Sequence, residues 1–261
     1  MKNHKDLFSK NIIKNYTNFT LGPLSASFQP EKITAIIGPN GAGKTTLLHC
    51  LCGLRKIDGG EINFPDITEI AIAGIGRLPK FSTPKQISKL YGNRIDKNEF
   101  LSLLKAFEIK LSKRIEEMSE GQKRLVQWAI ALSLKNPKAF VLDEPFNNVD
   151  ILHRETLFSK LNEKITKHKI PALISSHNLL EVDKICDKIY FISKGKIIFE
   201  IEKPEREVVW ILSNKKTEKG IKLTNGQFLT PIPRNQQPFG KIVDLQDIFK
   251  LIYGEKHEQS D

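Results

Sequence analysis

No run of apolar residues in this 261-residue chain approaches the ~20 needed to cross a bilayer, so no membrane-spanning helix is expected. The opening MKNHKDLFSK has no apolar stretch leading to a cleavage site, and no signal peptide is expected there. Cysteine is scarce. Cys50, Cys52 and Cys186 are odd in number and scattered, with no His or Cys cluster beside them. That excludes a disulfide framework and a zinc site, and predicts three buried small hydrophobes. Internal repeats and low-complexity tracts are missing. No basic run is interleaved with aromatics. The formal charge of +11 therefore reads as a Lys-rich solvated surface, open to an anionic partner, and nucleic acid is not expected. What remains, at 39% hydrophobic and 27% charged residues, has the composition of an ordinary cytosolic globular protein with a sizeable core.

The order of segments predicts an α/β fold. Asn18 to Leu21 and Leu24 to Phe28, broken by Gly22-Pro23, read as short antiparallel strands. Lys32 to Ile37 (KITAII) is an apolar run followed at once by a Gly-rich loop and a helical stretch. The same alternation returns with Ala139 to Leu142, a helix carrying Phe158, Leu161 and Ile165 on one face, and Pro171 to Ser176. A helical NLLEVDKICD follows, then KIYFIS and KIIFEI around Ser193-Lys194-Gly195. Apolar strands without polar alternation, separated by amphipathic helices, indicate a parallel sheet covered on both faces. Pro84 to Ile115 is polar and helix-prone and reads as an inserted helical lobe, drawn as about 81–133 once the following helix is included. After Pro204 the texture changes: Asn225-Gly226 suggests a hairpin, and a Pro-rich stretch leads to a final helix at Leu245 to Tyr253. The expected division is a main domain over 1–203 and a C-terminal appendage over 204–261.

Three loops carry the chemistry. GPNGAGKTT, from Gly38 through Asn40, Gly41, Ala42, Gly43, Lys44 and Thr45 to Thr46, satisfies G-x-x-x-x-G-K-[ST] between a strand and a helix. Glycines at 41 and 43 let backbone N–H groups close on phosphates, and the helix N-terminus adds partial positive charge. Lys44 is then the ligand of the β- and γ-phosphates and Thr45 a ligand of Mg²⁺. A guanine-reading Asn-Lys-x-Asp is missing, since Asn214-Lys215-Lys216 is followed by Thr217. AFVLDEP ends a buried strand in Asp143, suited to hold Mg²⁺ through water, and Glu144, suited to polarise an attacking water. Between these lies MSEGQKRLVQWAIAL, where Ser119 and Gln122 form a capping box and Leu125, Trp128, Ala129 and Leu132 make a helical stripe.

That third segment, just ahead of AFVLDEP, resembles the signature motif of ABC (ATP-binding cassette) ATPases, usually LSGGQ. The resemblance runs from about residue 16 to 200 and implies a P-loop NTPase core with an N-terminal antiparallel β subdomain, a helical lobe and a small appendage. It implies that Ser119, Gly121 and Gln122 of one subunit face the γ-phosphate held by another. Met118 and Glu120 depart from the pattern, Glu120 adding a carboxylate near the phosphates. The resemblance further makes Asp150 of NNVD a dimer-contact residue, His177 the switch histidine on the γ-phosphate, and Tyr16 the adenine-stacking aromatic, with Phe19 its rival. GIGRLPK resembles the strand ending that usually delivers a Gln to Mg²⁺ and water, yet here the residue is Lys80, and an ammonium cannot ligate a cation. Gln86, past Pro84, is a doubtful substitute.

Two functions follow from the resemblance. One is an ATPase subunit on the inner face of the cell membrane, powering a membrane permease as a homodimer or with a paralogous subunit. The other is a soluble ABC ATPase, such as that of iron–sulfur cluster assembly. The tail VDLQDIFKLIYG resembles the closing LEDVF-type helix of exporter ATPases and favours an exporter. LDEPF also resembles the haem-exporter ATPase of cytochrome c maturation, which stays open as an alternative.

Overall fold

A five-residue strand with no polar side to offer water must lie inside a sheet, and three such strands form the centre of this one. In a computed structural model of the chain, the residues described are 7–179, 183, 185–202, 208–218, 221–223, 226–233 and 236–253. The central sheet contains β3 (Ile33–Ile37), β5 (Ile70–Ala73), β6 (Ala139–Asp143), β7 (Ala172–Ser176), β8 (Lys188–Ser193) and β9 (Lys196–Glu202). Its strand order is β5-β6-β7-β3-β8-β9. All residues of β3, β6 and β7 are buried. Alternation now shows inside the apolar runs. Ala35 and Ile37 of β3, Phe140 and Leu142 of β6, and Ala172 and Ile174 of β7 join one apolar cluster. Ile36, Val141 and Leu173, between them, join a second cluster on the opposite face.

The first cluster is closed by α3 (Lys97–Ala106), α4 (Glu120–Ser133) and α5 (Ile151–His168). The predicted stripe of Leu125, Trp128, Ala129 and Leu132 is buried there, as are Leu161 and Ile165, while Phe158 stacks on Phe146 at 4.9 Å. The second is closed by α1 (Lys44–Leu51) and by an antiparallel sheet of β1 (Leu7–Tyr16), β2 (Phe19–Phe28) and β4 (Gly59–Asn63), in the order β2-β1-β4. Cys50, Cys52 and Cys186 are all buried, and burial pushes the Cys52 thiol up to about 12. Between β5 and α4 stand α2 (Pro84–Tyr91) and α3, each opened by a side-chain cap, Thr83 and Asp96.

Two expectations need correction. The strand pieces on either side of Gly22-Pro23 are one strand, β2, continuous from Phe19 to Phe28. The residues at 22 and 23 are tolerated because β2 is an edge strand, paired only with β1 within its sheet. The central sheet is also not wholly parallel. β9 runs antiparallel to β8, since Ser193-Lys194-Gly195 is a tight turn and cannot make a crossover. β9 alternates exposed and buried positions, the pattern of an edge.

After residue 207 come β10 (Val208–Ser213), β11 (Ile221–Lys222), β12 (Phe228–Pro233) and β13 (Lys241–Val243), in the order β11-β12-β10-β13. The hairpin expected at Asn225-Gly226 is present as the β11–β12 pair, although Asn225 itself lies outside the described residues. The chain continues into α6 (Leu245–Tyr253). Of the helix expected at NLLEVDKICD, Leu179 and Asp183 are helical, and residues 180–182 and 184 lie outside the described set. Among the described residues no helix is long and apolar enough to cross a membrane.

Candidate functional site

Three neighbouring strands, β6, β7 and β3, end at one rim of the sheet, and each delivers a polar loop there. Ligands of open α/β sheets bind at such carboxyl ends. From β3 the chain enters Gly38–Thr46. Gly41 (φ 78°) and Gly43 (φ 108°) occupy the left-handed region, which glycine alone enters without strain. At Gly43 a Cβ would also stand 2.9 Å from the Phe19 ring. The loop is braced from behind, as Gly195 N–H donates to the Ala42 carbonyl (2.9 Å) and Gly22 N–H to the Gly195 carbonyl (2.7 Å). Helix α1 starts at Lys44 with Gly43 as its cap, so its first N–H groups and dipole face the loop.

Lys44 is 5% exposed, and an ammonium that deeply placed must be surrounded by oxygen. It donates to the carbonyls of Gly38 (2.7 Å) and Pro39 (3.2 Å) and lies 3.5 Å from Glu144 Oε1. The Thr45 hydroxyl donates to Asp143 Oδ2 at 2.8 Å, and the Ser175 hydroxyl donates to Asp143 Oδ1. His177 Nδ1 lies 2.9 Å from Glu144 Oε2. Lys44, Thr45, Asp143, Glu144 and His177 are thus brought together, with Glu144 between a cation and an imidazole.

Glu144 adopts φ 45°, a left-handed conformation of about 1–3 kcal/mol cost for a side-chain residue. Its N–H donates to the Ser175 carbonyl (3.2 Å) and hydroxyl (3.0 Å), which holds the turn. Ser175 was missed in the sequence because a small polar residue at a strand end carries no motif. Arg124 was missed too. Its Nη1 donates to the Asp143 carbonyl (3.4 Å) and to Gln127 Oε1 (3.2 Å). Burial pushes its guanidinium below the ordinary range, while Asp143, Glu144 and Glu120 pull it back. Asp143 is approached closely from β5 as well: a Cβ at Gly74 would meet its carbonyl at 1.9 Å.

The remaining predicted residues stand apart from that group, with no side-chain hydrogen bond or ion pair to it. Ser119 and Gln122 form the expected capping box, the Ser119 hydroxyl accepting from Gln122 N–H (3.2 Å) and Gln122 Oε1 accepting from Ser119 N–H (3.3 Å). Gly121 packs against the chain segment before α5, where a Cβ would lie 2.2 Å from the Asn148 carbonyl. Glu120 is paired with Lys123 at 2.7 Å, and that hydrogen bond holds its carboxyl below the usual range. Asp150 caps α5, accepting from His153 N–H (3.0 Å). Tyr16 is half exposed at the end of β1, 6.3 Å from Phe19. Lys80 is exposed and has no side-chain partner among the described residues. It lines a cleft with Arg77, Glu116, Lys123 and Arg124. Gln86 is committed to the capping box of α2, with Thr83.

Comparison with known proteins gives consistent matches. A protein-family model described as ABC transporter matches residues 21–147. The tungstate uptake system ATP-binding protein TupC of Peptoclostridium acidaminophilum is 34% identical over 204 residues, covering 72% of this chain and 94% of that protein. The lipopolysaccharide export system ATP-binding protein LptB of Haemophilus influenzae is 30% identical over 215 residues, 74% of this chain and 88% of LptB. The solved structure of a putative cobalt transport ATP-binding protein superposes with a TM-score of 0.72, covering 94% of this chain and 100% of the other. At 24% identity, that likeness speaks for the fold.

Proposed function

Because the chain belongs to the ATP-binding subunits of ABC transporters, whose ATP hydrolysis is coupled to transport, we propose that it powers an exporter, from the inner membrane face. The observation that carries the site assignment is the contact set Thr45–Asp143 and Lys44–Glu144–His177 at the end of three adjacent strands. In this reading the amides of Gly41 to Thr46 and the Lys44 ammonium hold the β- and γ-phosphates, and Tyr16, with Phe19 its rival 6.3 Å away, takes the adenine. Lys44 would exchange its loop carbonyls for phosphate oxygens, a gain in charge without a change of position.

The donor set fits Mg²⁺. Thr45 and Asp143 present a hydroxyl and a carboxylate 2.8 Å apart, hard oxygen donors of the kind that bind this ion together with substrate phosphates. Among the described residues no group of three or more His, Cys, Asp and Glu offers an all-protein cage. Bound there, Mg²⁺ would neutralise charge on the phosphates. Glu144 orients the attacking water, and His177, held by Glu144, contacts the γ-phosphate. Ser119, Gly121 and Gln122 of a second subunit would complete the site, with Asp150 at the contact, which makes ATP the agent of dimerisation.

The direction rests on the tail VDLQDIFKLIYG, whose residues 243–253 span the end of β13 and α6 and which resembles the closing helix of exporter ATPases. One relative is an uptake protein and another an export protein, so direction calls for its own test. Co-reconstituted with a multispanning protein encoded beside it, the subunit should move cargo away from the ATP-bearing side. Movement toward that side would make it an importer. An ATPase rate indifferent to that membrane protein would mean that the subunit's permease is a different one.

A further inference from the structure

The C-terminal unit reaches the root of the glycine-rich loop. Near the end of α6, the Tyr253 hydroxyl lies 3.1 Å from the Ile37 carbonyl and 2.9 Å from the Ile192 carbonyl, its one proton shared between them. Ile37 is the last residue of β3, and the loop begins with the next residue, Gly38. Ile192 sits where the β8–β9 register slips. The two carbonyls mark the point at which β3 leaves the sheet to become the loop.

Little slack separates this point from the chemistry. A Cβ on Gly38 would stand 2.4 Å from the Ile192 carbonyl and 3.2 Å from the Ala42 side chain, so the loop's first residue is jammed against the end of β8. The Gly38 carbonyl is in turn the nearest acceptor of the Lys44 ammonium, at 2.7 Å. A path of direct contacts therefore runs from Tyr253 through the Ile37 and Ile192 carbonyls to Gly38 and Lys44. The Tyr253 ring is fixed by Phe249 (4.8 Å) and Phe191 (6.4 Å), and Trp210 of β10 meets Phe199 of β9 edge-on at 5.3 Å. Burial pushes the phenol above its ordinary range, so it stays a proton donor throughout the physiological range.

We infer that Tyr253 is a positioning residue for the phosphate-binding loop, through which the C-terminal unit sets the affinity for ATP. The inference rests on the ATP-site reading above. Tyr253→Phe keeps the ring and its packing and removes only the shared proton. Binding of a fluorescent ATP analogue to the full chain should weaken about tenfold, the worth of one lost buried hydrogen bond. Amide exchange should quicken in residues 38–47 and stay unchanged in α3, with the thermal midpoint falling by only about 2–4 °C. Tyr253→Ala should show the same loop effect with lower stability, and if it does not fold, Tyr253→Phe decides alone. Parental affinity together with parental exchange in Tyr253→Phe would overturn the inference. If the parent fails to bind the analogue, or Lys44→Ala binds it equally well, the ATP-site reading falls. The exchange comparison would then still decide whether Tyr253 holds the loop.

Discussion

Lys44 and Glu144 sit 3.5 Å apart, and their substitutions separate binding from turnover. Lys44→Ala deletes a charge-assisted contact to phosphate and should weaken ATP binding about 10- to 100-fold in equilibrium titration. Glu144→Gln keeps the shape, loses the carboxylate that orients water, and should retain binding while removing single-turnover hydrolysis. Unchanged hydrolysis would move the catalytic role elsewhere. Lys80, like Met118 and Glu120, departs from the pattern of the family, and it stands exposed in a cleft with Arg77, Lys123 and Arg124. Slow basal hydrolysis is expected, and Lys80→Gln, which restores an amide oxygen, should raise the rate severalfold while loosening ATP. Equal rate and affinity in both forms would make Lys80 a bystander. Lys44, Thr45, Asp143 and Glu144 stand in segments marked by their residue types and spacing, whereas His177 is marked by the family resemblance alone; the structure brings the five together. Ser175 and Arg124 were not legible in the sequence, because their role is to hold Asp143 and Glu144 from strands and helices far away in the chain.

At the scale of elements, α4 joins the Ser119 cap to the end of β6. Its Trp128 is wholly buried and donates its indole N–H to the Pro145 carbonyl at 2.9 Å, one residue past Glu144. Trp128→Phe leaves that carbonyl without its donor and removes ring volume beside Phe146. A loss of about 1–3 kcal/mol in denaturant unfolding is expected. Turnover should fall more than ATP affinity, because Glu144 is displaced and Lys44 is not. A variant with parental stability and rate would show that the bond carries nothing. α4 was readable in full, since a capping box and a 3.6-residue stripe are local signals. β9 was misread because an antiparallel return and a parallel crossover use the same apolar residues, and only the length of the turn tells them apart. β2 was split in two because Gly-Pro usually punctuates a strand, a rule that edge strands escape.

At the scale of the molecule, the residues assigned to the γ-phosphate fall into two sets that share no side-chain hydrogen bond or ion pair within one chain. ATP should therefore drive association. With MgATP, Glu144→Gln is expected to double its mass by light scattering, and a monomer at saturating ATP would point to a paralogous partner. The C-terminal unit was legible as hairpin and helix, but not its grip on Ile37, since nothing in the sequence relates residue 253 to residue 37. The close approach of Gly121 to the Asn148 carbonyl, 2.2 Å from where a methyl group would sit, has a consequence for mixed populations of subunits. Gly121→Ala must push the segment ahead of Asp150 aside while leaving Lys44 and Thr45 intact, so the variant should load ATP and pair, but unproductively. Added to parent protein in equal amount, it would act as a poison rather than a diluent. With random pairing only about a quarter of the dimers stay wholly parental, and ATPase activity per parental chain should fall to about half; an undiminished rate would mean that the two subunits fire independently.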